Sequence, residues 1–166
     1  MALGDLSPMA CEWRPSTGAI SLNQATPLDL TDPRTYRRWN TVSIRYADED
    51  RMGHVNNAAY GIWIEVARVA LISRYLSAGP DWLDTVLASV TINYVKETRF
   101  PGDVRVGARL LRIGNSSFNS GYGVFRDDAC LATAECTNVY FDLRSRTSTA
   151  PTKAVRAIME ADLTAH

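Results

Sequence analysis

The segment from Tyr46 to Arg68 combines acids, a glycine, an imidazole and amides directly before an apolar helical pattern. The three acids Asp48–Asp50 precede Gly53, His54 and the pair Asn56–Asn57. A carboxylate can act as a nucleophile or as a base for water, and an imidazole can transfer protons. A purely structural turn would need only the glycine and one asparagine. The segment therefore predicts a catalytic turn between a strand and a helix.

Two residues of this turn are candidates for the chemistry itself. Asp50 can serve as nucleophile or general base, and the alternative is a carboxylate that stabilises the turn. His54 can orient Asp50 or the substrate, and the alternative is a histidine that hydrogen-bonds the backbone. No metal site is expected, because the only other histidine is His166 and no spacing matches a zinc site.

The helix after the turn supplies three further candidates. Asn56 or Asn57 can cap the helix, and Asn57 is the expected cap. A backbone N–H near it can stabilise an oxyanion, since first-turn N–H groups lack partners within the helix. Tyr60 can line a substrate site or belong to the core. Glu65 lies among apolar residues, so it should pair with Arg68 or a partner chain, or act as a catalytic carboxylate.

One strand and one long helix are predicted to position these residues. Val42, Ile44 and Tyr46 alternate with polar residues, which is typical of a half-buried strand. A helix is predicted over 57–77, before a Gly-Pro pair. Its main apolar stripe comprises Tyr60, Trp63, Ile64, Ala67 and Leu71. A second apolar set comprises Ile62, Val66, Val69 and Ile72, so most of the helix surface should be buried.

Four more strands are predicted from alternating apolar residues within 86–94, 104–110, 118–124 and 132–140. Turn residues separate these four strands at 101–103, 114–116 and 127–128, and such short joints favour antiparallel hairpins. A short amphipathic helix is expected after Pro151, with Val155, Ile158 and Met159 on one face. The order of the predicted elements, one strand, a long helix and then four strands, favours an α+β fold in which an antiparallel sheet wraps around one long central helix.

The chain divides into three regions. Residues 1–35 hold four of the seven prolines and are expected to form an irregular arm that lies along the domain or a partner chain. The domain should span 36–145, and 146–166 should form a C-terminal tail with the short helix. Short stretches such as Ala19–Leu22 do not define a strand.

Composition limits the classes of function. Lys and Arg number 18, as do Asp and Glu, which argues against nucleic-acid binding and is compatible with self-association. No apolar stretch is long enough to span a membrane, and no secretory signal is evident. The three cysteines have no disulfide or metal spacing, which favours a reducing, cytoplasmic location.

The turn and helix resemble a known family. The likeness is carried by the pattern Tyr46-x-Asp48-x-Asp50-x-x-Gly53-His54-Val55-Asn56-Asn57-x-x-Tyr60, followed by Trp63, Glu65 and Arg68. This pattern resembles the hotdog-fold thioesterases, most closely the 4-hydroxybenzoyl-CoA thioesterase-like branch, and the likeness spans about 36–145. Acyl-carrier-protein thioesterases share the His-Val-Asn-Asn segment.

The resemblance implies a fold, an activity and an assembly. It implies hydrolysis of an acyl-CoA or acyl-carrier-protein thioester, with Asp50 as nucleophile or base and the N–H groups at the helix start near the thioester oxygen. It also implies a homodimer or homotetramer with each site between two chains. No cofactor is expected, and coenzyme A enters only as part of the substrate.

One departure from the family pattern and two alternative functions follow from the same residues. The benzoyl-type members carry bulky apolar and aromatic residues where His54–Asn57 stands, which argues against an aromatic acyl group. A hotdog dehydratase or hydratase and a non-catalytic acyl-binding or assembly module are the alternatives.

Four arginines could contact coenzyme A phosphates or form a solvated strand face, namely Arg99, Arg105, Arg109 and Arg112.

Overall fold

The computed structural model describes residues 28–164. Most of the predicted arm, including 19–22, and the terminal His166 therefore lie outside the described residues. The elements, in chain order, are β1 (Arg38–Ser43), α1 (Asn57–Leu76), β2 (Leu83–Tyr94), β3 (Asp103–Ile113), β4 (Ser117–Arg126), β5 (Ala129–Asp142), β6 (Thr147–Ser148) and α2 (Lys153–Thr164).

The strands form one antiparallel sheet in the order β1-β3-β4-β5-β2, with β6 paired to β5. The sheet curls around α1, so the predicted α+β architecture with one central helix is confirmed. The joint Asp127–Asp128 is a two-residue hairpin turn with φ values of 49° and 64°. Both residues adopt the left-handed conformation that matches the twist of the flanking strands.

The core lies between one face of α1 and the inner face of the sheet. The predicted main stripe of the helix is buried, and Ala67 is fully inaccessible to solvent. The alternating residues of β3, β4 and β5 point inward against it, as the sequence predicted; they are Val104, Val106, Ala108 and Leu110, then Phe118, Ser120, Tyr122 and Val124, then Ala132, Ala134, Cys136, Asn138 and Tyr140. Period-two and helical patterns thus identify the same core from its two sides.

The first predicted strand ends earlier than its pattern suggested. β1 stops at Ser43, and Ile44 then donates its backbone N–H to the carbonyl of Gly102 at 2.8 Å. Tyr46 begins a 3₁₀ turn (Tyr46–Asp48) and its side chain is 78% exposed, so the prediction of Tyr46 as a strand residue was wrong. The chain leaves the sheet here because the following acids bind the backbone of the turn.

The second apolar set of α1 is not buried within one chain. Ile62, Val66 and Val69 are each at least 43% exposed, and only Ile72 is buried, so the expectation of an almost wholly buried helix was wrong for the single chain. The edge strand β2 likewise exposes apolar side chains, namely Val86, Leu87, Val90 and Tyr94. Exposed apolar area of this extent on neighbouring elements is typical of an interaction surface.

Helix α2 packs against the domain. Val155 and Met159 are buried, as the predicted apolar face required, and Ile158 is partly buried against the same core. Asp162, near the end of the helix, accepts hydrogen bonds from Arg38 of β1 and from the Tyr75 hydroxyl of α1. The helix therefore ties the first strand and the end of α1 together.

The outer face of the sheet is covered by the residues just before β1. Gly107 and Gly123 are direct partners across β3 and β4, and the Tyr36 ring lies over both of them. Trp39 and Phe125 pack edge-on against this ring at centroid distances of 5.6 and 5.8 Å. The Tyr36 hydroxyl also donates to the Leu30 carbonyl at 2.8 Å, so the ring is attached to the chain before it.

Gly107→Ala should destabilise the protein by about 1–3 kcal/mol, because a Cβ at this position would lie only 2.4 Å from the Tyr36 ring. Gly61→Ala is the matched control. It lies on helix α1 with no atom within 4 Å of the new Cβ, and it should stabilise by roughly 0.5–1 kcal/mol. Chemical denaturation at fixed protein concentration measures the free energy of unfolding of both variants. Equal stability of Gly107→Ala and wild type would contradict the packing of Tyr36 against Gly107.

Candidate active site

The three consecutive acids of the turn have different partners. Asp48 is buried and accepts three hydrogen bonds from Arg45, one from its backbone N–H and two from its guanidinium. These bonds hold the pKa of Asp48 below its ordinary value. Glu49 accepts a hydrogen bond from the backbone N–H of Phe100 at 3.0 Å. Both carboxylates therefore stabilise the turn and its neighbouring loop.

Asp50 keeps one carboxylate oxygen available. Its Oδ1 accepts hydrogen bonds from the backbone N–H groups of Met52 at 2.7 Å and His54 at 3.3 Å. Among the described residues, no donor contacts its Oδ2. The backbone closes the turn, since Asp50 N–H donates to the His54 carbonyl at 2.8 Å and Gly53 N–H donates to the Asp50 carbonyl at 3.1 Å. Gly53 has φ +73°, a conformation that favours glycine.

The start of α1 differs by one residue from the prediction. Asn56 is the cap, and its side-chain oxygen accepts from Ala58 N–H at 2.9 Å. Asn57 is the first helical residue, so its predicted role as the cap was wrong. A cap must have an extended backbone, and only Asn56 does. Asn57 N–H has no acceptor among the described residues and remains available to a ligand.

His54 has two partners of opposite character at one nitrogen. Its Nε2 lies 2.7 Å from Nη2 of Arg99 and 3.3 Å from Oε2 of Glu97. The guanidinium can donate only to an unprotonated Nε2, whereas the carboxylate can accept only from a protonated one. The location of the ring proton, on Nε2 or on Nδ1, therefore decides whether Nε2 binds Glu97 or Arg99.

Four of the five predicted site residues line one cavity of about 270 Å³; they are Asp50, His54, Asn57 and Tyr60. The other lining residues come mainly from the end of β2 and the loop after it; they are Val55, Tyr94, Val95, Lys96 and Glu97. Carboxylate, imidazole and a helix N-terminus thus meet in a cavity with aromatic and aliphatic walls. This set can attack a carbonyl carbon and stabilise negative charge on its oxygen.

Tyr60 forms the inner wall of the cavity. It is 2% exposed, and its ring packs on Trp63 and Tyr94 at centroid distances of 5.0 and 5.3 Å. Burial raises the pKa of its hydroxyl, which therefore stays protonated. The Tyr94 hydroxyl donates to the Asn57 carbonyl at 3.2 Å, so the end of β2 is attached to the first turn of α1.

Glu65 lies away from this cavity in the single chain. It follows Asn57 by eight residues, which is about 12 Å along the helix axis. Its two oxygens bind Nε and Nη2 of Arg68 at 2.6 and 2.7 Å, so the predicted pairing with Arg68 is present. These bonds lower the pKa of Glu65. Its catalytic role stays a prediction.

The sequence did not identify Glu97 as a site residue, because it lies 43 residues from His54 and belongs to the loop between β2 and β3. Arg126 holds this loop, donating to Thr98 Oγ1 and to the Arg99 and Pro101 carbonyls at 2.7–3.0 Å. The only local signal is the run of alternating charge over 96–99. The contact itself arises from the sheet topology.

The four candidate arginines do not converge on this cavity. Arg99 lies at His54, whereas Arg105 stacks on the Trp39 ring at 4.3 Å. Arg109 donates to the Thr35 carbonyl at the other end of β3. Arg112 is exposed near the end of the same strand. Of the four, only Arg99 is therefore placed to contact a ligand in the candidate site.

Comparison with known proteins identifies the family. The model of the thioesterase-like superfamily matches residues 44–159, which is more than half of the chain. The uncharacterized protein YsmA of Bacillus subtilis (strain 168) is 27% identical over 86 residues, covering 51% of this chain. The match spans 58% of YsmA, less than two thirds of its length.

Solved structures show the same fold. A thioesterase superfamily protein from Jannaschia sp. CCS1 superimposes with a TM-score of 0.70 at 24% identity, covering 78% of this chain and 85% of that one. A thioesterase from Thermus thermophilus, solved in complex with coenzyme A and Zn, has a TM-score of 0.65 at 25% identity, covering 75% and 92%. No helix among the described residues is long and apolar enough to cross a bilayer. The chain belongs to the thioesterase-like superfamily and has its hotdog fold.

Proposed function

We propose that the protein hydrolyses an acyl-CoA or acyl-carrier-protein thioester to a free acid and a thiol. The observation that carries this proposal is the available Oδ2 of Asp50 in the same cavity as the unpaired N–H of Asn57. Membership in the thioesterase-like superfamily supports the reaction class, and the coenzyme A complex of the Thermus relative supports a CoA-type substrate.

Asp50 serves as nucleophile or as general base. As nucleophile, Oδ2 attacks the thioester carbonyl carbon, the thiolate leaves, and water then hydrolyses the mixed anhydride. As general base, the carboxylate takes a proton from water, the resulting hydroxide adds to the carbonyl, and the proton passes to the departing thiolate. In both routes Oδ1 stays bound to the turn, so only one oxygen reacts.

The first turn of α1 stabilises the oxyanion in this proposal. The N–H of Asn57 donates to the carbonyl oxygen as negative charge develops there, and the positive end of the helix dipole adds to the effect. His54 orients the substrate or Asp50 through the nitrogen that Glu97 and Arg99 contact. Tyr60 and Tyr94 form the wall against which the acyl group packs.

A hydrolysis screen tests the activity and the acyl preference together. Purified protein is assayed for thiol release from acyl-CoA of increasing chain length, from aryl-CoA and from acyl-carrier protein. Release of thiol from an aliphatic member at a rate well above the buffer control is expected. Hydration of enoyl-CoA without thiol release would instead indicate a hydratase, and no turnover of any substrate would indicate an acyl-binding module.

We further propose that two or more copies assemble along β2, the edge strand whose apolar residues are exposed in one chain. Long apolar edge strands are normally covered, because an unpaired edge aggregates. The end of β2 and the loop after it line the cavity with Asp50. An interface along this strand would therefore reach the site and place it between two chains.

The free thiols of Cys130 and Cys136 support a reducing, cytoplasmic location.

Val90→Asp should shift the protein to a smaller assembly, because it places a charge in the middle of the proposed interface. Light scattering coupled to size-exclusion chromatography measures the mass. Thr41→Asp is the matched control, since it adds the same charge to the opposite edge strand, β1, at an exposed position. A wild-type monomer, or an unchanged mass for Val90→Asp, would contradict assembly along β2.

A further inference from the structure

We propose that an arginine-lined cavity at the far end of β1 is a second site, which binds a phosphate or pyrophosphate group. The cavity has a volume of about 170 Å³ and lies between the residues before β1, strand β3 and the end of α2. Its charged lining consists of Arg34, Arg37, Arg38, Arg109 and Asp162. The whole chain carries equal numbers of acids and bases, so this concentration of arginines is local.

Two of these arginines already have carboxylate partners. Arg34 pairs with Asp32 at 2.7 Å, and Arg38 pairs with Asp162. The other oxygen of Asp162 accepts from the Tyr75 hydroxyl at 2.5 Å. Both oxygens of Asp162, the one acid among the described lining residues, therefore already accept a hydrogen bond.

The other two arginines have no carboxylate partner within the described residues. Among residues 28–164, no carboxylate lies within ion-pair distance of Arg37 or Arg109. Arg109 is half-buried, and its Nη1 donates to the Thr35 carbonyl at 2.9 Å, which fixes the guanidinium plane. Its remaining donors have no partner among the described residues. Like charges held together repel, and a bound anion would offset that repulsion.

The chemistry of the cavity fits a phosphate group. Guanidinium groups present paired N–H donors that match phosphate oxygens, and a tetrahedral anion has enough oxygens to engage two of them from different directions. A volume of about 170 Å³ exceeds that of a single water several-fold and admits a phosphate or pyrophosphate.

A second cavity of about 320 Å³ adjoins the first and shares Arg37, Arg38 and Ala108 with it. It extends along α1 past Ala67 to Arg74. The organic part of a phosphate ester would have room there. The pair of cavities therefore suits an esterified phosphate as well as the free anion.

This site is separate from the cavity that contains Asp50. Arg38 pairs with Ala108 at one end of β1, and Ser43 pairs with Asp103 at the other end, about 16 Å away. The turn with Asp50 follows the Ser43 end. The phosphate can come from the nucleotide part of a bound substrate or from a free phosphate compound, and the inference holds whether or not the chain hydrolyses thioesters.

Isothermal titration of the full chain with pyrophosphate at about 0.15 M salt tests the site, since this salt screens weak surface binding. Saturable binding to wild type is expected, with at least a tenfold loss of affinity in Arg37→Ala and in Arg109→Gln. Arg37 is exposed, so its substitution leaves the fold intact, and Arg112→Gln on the same strand as Arg109 is the matched control. Asp50→Asn should bind pyrophosphate as wild type does, which separates this test from the proposed activity.

Competition then identifies the source of the phosphate. Displacement of pyrophosphate by coenzyme A indicates the nucleotide of the substrate, whereas simultaneous binding indicates a free phosphate compound. The proposal is overturned if pyrophosphate binding does not saturate, if both arginine variants bind it as tightly as the control, or if acetate binds equally well.

Discussion

Asp50→Asn is expected to lower kcat for thioester hydrolysis by about a thousandfold or more while the protein keeps its fold. The amide oxygen can still accept the hydrogen bonds that Oδ1 now receives from Met52 and His54, so the turn should persist. The negative charge at Oδ2, which the reaction requires, is lost. Steady-state rates of thiol release, with circular dichroism and thermal unfolding to confirm the fold, measure the effect.

Glu49→Gln provides the matched control for this substitution. It removes the same charge one residue earlier, and its amide oxygen can still accept from the Phe100 backbone N–H. We expect its kcat to stay within a few-fold of wild type, since Glu49 holds the loop and does not line the cavity. If Asp50→Asn hydrolysed acyl-CoA as fast as Glu49→Gln, the carboxylate of Asp50 would not be the reacting group.

Arg68→Met is expected to reduce the free energy of unfolding by about 3 kcal/mol. The Arg68 side chain is 11% exposed, and its Nη1 donates to Oδ1 of Asn138 at 2.9 Å. Asn138 is fully buried and donates to Ser120, which also accepts from the Tyr122 hydroxyl. Methionine fills much of the space but leaves the Asn138 oxygen buried without a donor. Denaturant unfolding at fixed protomer concentration measures the loss.

A double-mutant cycle with Asn138→Leu separates the hydrogen bond from the packing. The single change Asn138→Leu should also destabilise, because Arg68 then loses an acceptor in a buried position. The double variant should be more stable than the sum of the single effects predicts, by about 1–2 kcal/mol, since both polar partners are gone. Strict additivity would show that Arg68 and Asn138 do not stabilise each other.

Periodicity predicted the fold well because it reports which face of an element is apolar. The stripe of α1 that includes Trp63 and the inward residues of β3 to β5 were identified in this way. The same pattern could not say what covers an apolar face. Ile62, Val66 and Val90 look like core residues in sequence, yet they are exposed in the single chain. Burying them would require another surface, which a one-dimensional pattern does not describe.

The candidate site was predictable only where its members are close in sequence. Asp50, His54 and Tyr60 meet because one turn and the start of one helix carry them. Asn57 was placed one position wrongly, since two successive asparagines are equally good caps in sequence and only backbone conformation distinguishes them. Glu97 meets His54 through the path of the chain after β2, a long-range contact without a local signature.

The two facing glycines under Tyr36 have a consequence for relatives of this chain. Positions 107 and 123 are paired across two strands; the Tyr36 ring occupies the space left at both, and the Phe125 ring shares the space at Gly123. A larger residue at either position would displace the Tyr36 ring, and loss of that ring would remove the reason for Gly107, whereas Gly123 would still have to accommodate the Phe125 ring. Positions 36 and 107 should therefore vary together across the family, so this Tyr–Gly pair can serve as a sequence marker. Proteins that carry it should place the residues before β1 on the outer face of the sheet, as this chain does.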